Sequence, residues 1–85
     1  MDPRQLIREA AIHDEYQVTR HAADEADKDG ISTEMIEQVM PVGTICGVGS
    51  SRFGRRRYKL HYRGRFVCVE SLGGPWLVVT VGRER

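Results

Sequence analysis

The spacing of apolar residues changes once along this chain, at Pro41. Before it, apolar side chains recur at helical spacing in the segments 4–13, 20–28 and 33–40, and after it they tend to alternate as in strands. Proline disfavours helical geometry in the residue before it, so we expect the third helix to end there. The sequence therefore predicts helices followed by a sheet, a two-layer α+β domain.

Small polar residues, glycine and proline mark the expected helix ends. Pro3 suits the first turn of the first helix, and Thr19 and Ser32 can cap the second and third helices. Gly30 suits the left-handed position that terminates the second helix.

The clearest strand is Arg57–Tyr62, in which Tyr58, Leu60 and Tyr62 fall on one face and Arg57, Lys59 and His61 on the other. Arg63-Gly64 predicts a two-residue hairpin turn after it. The other strands are expected near residues 42–48, 66–70 and 76–81, whereas residues 16–19 are too few to predict more than an extended link. We expect N-terminal helices packed on a roughly four-stranded antiparallel sheet.

Length and composition limit the class of protein. Eighty-five residues predict a single domain over 1–85, and the longest uncharged stretches, of 14 and 12 residues, are shorter than the roughly 20 that a membrane helix needs. The charged N-terminus lacks the apolar core of a signal peptide. We interpret Cys46 and Cys68 as buried thiols rather than as a disulfide or a metal site. These features predict a cytoplasmic protein without a cofactor or a membrane partner.

The net charge of +1 conceals two oppositely charged halves. The first 40 residues have a net charge of −6 and the remaining 45 have +7. Seven bases fall between residues 52 and 65 without an acid among them: Arg52, Arg55, Arg56, Arg57, Lys59, Arg63 and Arg65. The charges of such a block repel one another unless negative charge lies opposite them. Three sources stay open: the acidic half of the same chain, a nucleic acid, or an acidic protein partner.

The segment Val18–Ala22, Val-Thr-Arg-His-Ala, is followed after one helix by Gly30-Ile31-Ser32. This arrangement resembles the small bacterial family called domain of unknown function 4258, and the likeness spans about residues 16–82. Members of that family are similar to RelE/BrnT-type toxins, which are ribonucleases paired with an antitoxin. The resemblance implies a RelE-like fold with a curved antiparallel sheet, RNA as substrate, and an antitoxin-like protein as partner.

The chain departs from the family pattern at two positions. The family commonly has arginine four and eight residues after the motif histidine, whereas this chain has Glu25 and Asp29 there. If those arginines hold phosphate in the family, any phosphate contact in this chain has to come from the basic block.

His21, Glu25 and Asp29 share one helix face at i, i+4 and i+8 spacing. Four interpretations remain open. In the first, the acids pair with arginines of the sheet. In the second, His21 acts as a general acid or base oriented by Glu25. In the third, a metal binds there with two further ligands, and in the fourth the face contacts a partner.

Cleavage of RNA without a metal needs a proton acceptor, a cation for the phosphorane charge and a proton donor. One face of the strand Arg57–Tyr62 supplies cations and an imidazole, and arginine suits bidentate contact with phosphate. We therefore predict His21, His61 and Glu25 as catalytic residues. The predicted RNA contacts are Arg52, Arg55, Arg56, Arg57, Lys59, Arg63, Arg65 and, by stacking, Tyr58. The plainer alternative is a charged, solvated sheet face with the tyrosines in the core.

These expectations lead to two functional hypotheses. The first is a toxin-type domain, either an active metal-independent ribonuclease or a degenerate relative that binds RNA through a basic sheet face. The second is a non-enzymatic interaction module whose basic face docks an acidic partner such as an antitoxin.

Overall fold

Three helices and five strands form this protein in a computed structural model, which describes residues 2–50, 54–71 and 75–83. The α+β class predicted from the sequence is confirmed. The elements in chain order are α1 (Pro3–Ile12), β1 (Tyr16–Val18), α2 (Arg20–Lys28), α3 (Thr33–Val42), β2 (Thr44–Ser50), β3 (Arg56–Tyr62), β4 (Arg65–Ser71) and β5 (Trp76–Arg83).

Side-chain caps start the first two helices. The Asp2 carboxylate accepts a hydrogen bond from the Arg4 backbone N–H, and the Thr19 hydroxyl accepts one from the N–H of Ala22. Gly30 follows α2 with a φ of 64°, the left-handed conformation predicted for it. Thr19 also donates its hydroxyl proton to the Val78 carbonyl, which ties the start of α2 to β5.

The end of α3 differs from the expectation, because the helix continues past Pro41 to Val42. Two arginines of α1 hold this last turn: Arg4 donates to the Met40 carbonyl, and Arg8 Nε donates to the Pro41 carbonyl at 3.0 Å. Carbonyls at a helix end lack partners within the helix, so these tertiary hydrogen bonds stabilise it. The local preference of proline is outweighed by contacts from a distant part of the sequence.

The sheet has five strands in the order β1-β5-β4-β3-β2, and it is mixed rather than purely antiparallel. The prediction of about four antiparallel strands is therefore corrected in one respect. The segment expected to be only an extended link is β1, which pairs in parallel with the beginning of β5. Three residues are too few to show the alternation by which a strand is recognised in a sequence.

The predicted hairpin turn is confirmed between β3 and β4. Arg63 and Gly64 have φ values of 50° and 76°, and Tyr62 pairs with Arg65 across the turn. Two successive positive φ values are those of a type I′ turn, whose twist matches that of the flanking strands.

The core lies between the helices and one face of the sheet. On the sheet side it contains Tyr58, Leu60, Val67, Val69, Val78 and Val81, and on the helix side Ile7, Ala22, Ala26, Met35, Ile36, Val39 and Met40. Tyr58 and Leu60 point inward as their alternation predicted. Within the described residues, no helix is long and apolar enough to cross a membrane.

We predict that Gly43→Ala lowers the free energy of unfolding by about 1–3 kcal/mol, as overpacking of a core does. A Cβ atom at Gly43 would lie 2.7 Å from the Val39 carbonyl oxygen, and that backbone atom is fixed in α3. Urea unfolding followed by circular dichroism measures the loss.

Gly49→Ala is the matched control, because a Cβ there meets nothing within 4 Å. Equal stability of the two variants would contradict the close packing of α3 against the start of β2.

Candidate nucleic-acid interface

The face of the sheet opposite the core is called here the outer face. Its side chains form three rows across β3, β4 and β5, defined by the strand register as Arg57–Glu70–Leu77, Lys59–Cys68–Thr80 and His61–Phe66–Gly82. The three polar residues predicted to share one face of β3 therefore do so. Side chains two residues apart on a strand are about 6–7 Å from one another, so the two cations and the imidazole form a continuous line.

Arg57 is anchored by groups of its own sheet. Its Nη2 donates a hydrogen bond of 2.9 Å to the Thr80 hydroxyl, and its Nε lies 4.0 Å from a carboxylate oxygen of Glu70. The Glu70 side chain is only 7% exposed, whereas that of Arg57 is 41% exposed. The buried carboxylate gives Arg57 a counterion below the surface, while part of the guanidinium group still faces solvent.

The Nε atom of Arg57 is buried and has no hydrogen-bond partner. The contact with Glu70 is thus a charge interaction at 4.0 Å rather than a hydrogen bond. It orients the guanidinium group less tightly than a bidentate pair would.

Lys59 is supported by an aromatic ring. Its ammonium group lies 4.5 Å from the centroid of the Phe66 ring, within the range of a cation–π contact. The ring in turn covers Gly82, where an added Cβ would come within 2.6 Å of it. Glycine at this position of β5 thereby leaves the space that the Phe66 ring occupies next to Lys59.

His61 and Arg63 continue the outer face toward the β3–β4 turn. His61 is half-buried and pairs in register with Phe66. Arg63 is exposed in the turn, with its guanidinium carbon 5.2 Å from the centroid of the Tyr62 ring.

Cys68 lies in the middle of the outer face. Burial raises the pKa of its thiol, Arg57 and Lys59 oppose that increase, and Cys46 and Glu25 add to it. Cys46 is exposed, which corrects the expectation of two buried thiols, and both thiols are free.

His21 and Glu25 contact one another, as their spacing predicted. His21 Nε2 lies 3.2 Å from Oε1 of Glu25, but the contact lacks hydrogen-bond geometry, since this buried Oε1 has no hydrogen-bond partner. The His21 side chain is 72% exposed. Asp29 is exposed at the end of α2.

The two predicted catalytic histidines lie on different elements of the fold. His21 lies on α2, which packs against β5, whereas His61 lies on β3, and β4 separates those two strands. Neighbouring strands are about 4.8 Å apart, so β3 and β5 alone are separated by about 10 Å. A joint catalytic role of His21 and His61 stays a prediction.

The basic block does not form one surface either. Arg56 and Arg65 lie on the helix-side register of β3 and β4, and Arg65 donates to the Gln38 side chain of α3 at 3.4 Å. Arg65 and Arg83 line a separate cleft of about 260 Å³ at the start of α3. Arg55 is half-buried before β3, and Arg52 lies outside the described residues.

The predicted stacking role of Tyr58 also has to be corrected. Tyr58 is 7% exposed in the core, and its ring centroid lies 5.9 Å from that of Trp76. It therefore has no face available to a nucleic-acid base.

Arg57 of the basic block pairs with Glu70 of its own sheet rather than with an acid of the first 40 residues. Within the first 40 residues, His13 pairs with Glu9 and His21 with Glu25. Across residues 2–50, 54–71 and 75–83, no group of three or more His, Cys, Asp or Glu side chains is arranged to hold a metal ion.

Sequence reasoning missed Glu70, Phe66, Thr80 and Gly82. Glu70 carried one indication of its role, because it is one of only two acids after Pro41. Its partner could not be deduced, since the pairing of β3 with β4 and β5 depends on the register of the whole sheet.

Comparison of the chain with protein-family models, with curated proteins and with solved structures finds no match. The outer face therefore has to be interpreted from its own chemistry.

We predict that iodoacetamide at pH 8 alkylates Cys46 much faster than Cys68 in the folded protein. Cys46 is exposed, whereas burial shields Cys68 and raises its thiol pKa, which lowers the fraction of reactive thiolate at that pH. Peptide mass spectrometry at successive times measures both rates.

Unfolding in urea should bring the two rates close together. Equal rates in the folded protein would show that Cys68 does not lie protected within the outer face.

Proposed function

We propose that this protein binds the phosphate backbone of single-stranded RNA through the outer face. The observation that carries the proposal is that Arg57, Lys59 and His61 line one strand opposite the core. Phosphate contacts from cations account for most sequence-independent binding of nucleic acid. The family resemblance described above favours RNA over other polyanions.

Each of the three side chains has a distinct role in this proposal. Arg57 offers the exposed part of a guanidinium group anchored by Thr80, and Lys59 offers an ammonium group held over Phe66. His61 is the imidazole beside them that can transfer a proton. Arg63 extends the cationic line into the turn.

We further propose that any cleavage of RNA depends on His61 with Arg57 and not on a pair of histidines. Arg57 would stabilise the charge that develops on the phosphorane. His61 would accept the 2′-hydroxyl proton as the 2′-oxygen attacks phosphorus, and the imidazolium would then donate that proton to the 5′-oxygen as its bond to phosphorus breaks. His21 and Glu25 lie on α2, which packs against β5, and this proposal gives them no role in the cleavage step. This assignment makes the protein a toxin-type ribonuclease if it cleaves, and an RNA-binding relative if it does not.

Two half-buried apolar side chains on the outer face, Phe66 and Leu77, favour a second candidate. An acidic segment of a protein partner, such as an antitoxin, would pair its carboxylates with Arg57 and Lys59 and place apolar groups near Phe66. Competition between such an acidic peptide and RNA for the same face would be expected.

For the binding proposal, we predict that RNA affinity falls steeply with salt. Three neutralised phosphates on a single strand give a slope of log affinity against log salt of about −2, and Lys59→Ala should reduce its magnitude by about 0.7. Fluorescence anisotropy of a labelled RNA oligonucleotide at several salt concentrations measures both slopes.

Lys28→Ala is the matched control, because it removes the same charge from an exposed position on α2. A slope equally reduced by both substitutions, or one near zero for the unchanged chain, would rule out a specific role of the outer face.

For the cleavage proposal, we predict that His61→Ala abolishes cleavage of the same RNA and relieves any growth arrest caused by expression. The RNA affinity of this variant, measured by anisotropy, should stay within a few-fold of that of the unchanged chain. His13→Ala serves as the control, since His13 is exposed on the helix side beside Glu9. Cleavage that survives His61→Ala would exclude the assigned role. If the unchanged chain binds this RNA and leaves it intact, the protein has the binding function alone.

A further inference from the structure

A negatively charged surface lies at the β1 edge of the sheet. It is a cleft of about 500 Å³ between α1 and the paired beginnings of β1 and β5. We call it the acidic cleft and define it by its apolar members, Leu6, Tyr16 and Trp76, and by its acids, Glu9, Asp14 and Glu15. Leu6 is 40% exposed although it is apolar, so the cleft offers an accessible hydrophobic wall.

No basic side chain lines the acidic cleft among the described residues. Burial raises the pKa of the Tyr16 hydroxyl, and the charges of Glu37 on α3 and of Asp14 in the cleft raise it further. An apolar floor with three carboxylates around it is complementary to a side chain that combines an aliphatic stem with a cationic head.

The acidic cleft adjoins an open strand edge. β1 is the terminal strand of the sheet and pairs with β5 on one side only, so its other edge carries no strand in the described part of the chain. Unpaired backbone groups on such an edge can accept an added strand. An added strand would place alternate side chains toward the acidic cleft.

We propose that the acidic cleft and the edge of β1 dock an extended, basic segment of a partner protein. Its arginine or lysine side chains would pair with Asp14 and Glu15 and would compete with His13 for Glu9, and an arginine could stack on Trp76. Its aliphatic side chains would contact Leu6. This inference does not depend on RNA binding, because the acidic cleft and the outer face share no residue.

Trp76 is the only tryptophan of the chain, so its fluorescence reports directly on the acidic cleft. The probe is a short peptide with blocked ends that alternates arginine and leucine, and the control probe alternates glutamate and leucine. We expect the arginine peptide to shift Trp76 emission saturably and the glutamate peptide to leave it unchanged. A response to both peptides, or to neither, would overturn the proposal.

Variants of the acids test the charge requirement. Asp14→Asn should add no backbone strain, because Asp14 has a φ of 55° and asparagine tolerates the left-handed region. We expect Asp14→Asn and Glu15→Gln each to lower the affinity for the arginine peptide by about twofold to fivefold, the range for partly exposed charge pairs. Asp24→Asn, an exposed acid on α2, is the control and should leave the affinity unchanged. Equal effects of all three substitutions would contradict a specific site.

Two further measurements decide the mode of docking and the occupant. An arginine peptide methylated on alternate backbone nitrogens should bind several-fold more weakly, and unchanged affinity would exclude addition of a strand to β1. Sedimentation of the protein alone should show a monomer. A dimer dispersed by Asp14→Asn with Glu15→Gln would identify a second copy of this chain as the occupant instead, which would overturn the proposal of a basic partner.

Discussion

The alternation of β3 is the constraint on which the rest of the structure depends. Tyr58 and Leu60 are buried against α3 and the neighbouring strands, and their burial fixes the register of β3 in the sheet. A shift by one residue would exchange every side chain between the two faces. The hydrophobic core therefore determines where Arg57, Lys59 and His61 lie, although none of them belongs to the core.

The charges of the protein are separated in space as well as in sequence. The outer face carries the cations of β3, with Glu70 buried beneath Arg57, and the acidic cleft lies at the edge formed by β1. Arg57 is tied to Glu70 and Thr80 of its own sheet, and part of its guanidinium group stays exposed on the outer face.

Residues with local physical causes could be predicted from the sequence. Thr19 and Gly30 fix the ends of α2 through backbone geometry, and Arg63-Gly64 encodes its turn in two residues. β1 and the end of α3 could not be predicted, because each depends on a partner far away in the chain. β1 needs the edge of β5, and the turn at Pro41 is held by Arg4 and Arg8.

The same distinction applies to the candidate site. The shared face of Arg57, Lys59 and His61 followed from period-two alternation, whereas the separation of His21 from His61 required the order of the strands. Tyr58 was predicted to be either a stacking surface or a core residue, and only burial distinguishes the two. The support of Lys59 by Phe66 on Gly82 involves three strands and leaves no pattern in any one of them.

We propose that the outer face, which the core leaves on the opposite side of β3, binds phosphate. Titration of isotope-labelled protein with single-stranded RNA, followed by nuclear magnetic resonance, tests it most directly. We expect the largest shifts at Arg57, Lys59, His61 and their cross-strand neighbours Phe66 and Cys68. Shifts concentrated on α1, α2 or the cleft lined by Arg65 and Arg83, with the outer face unchanged, would contradict it.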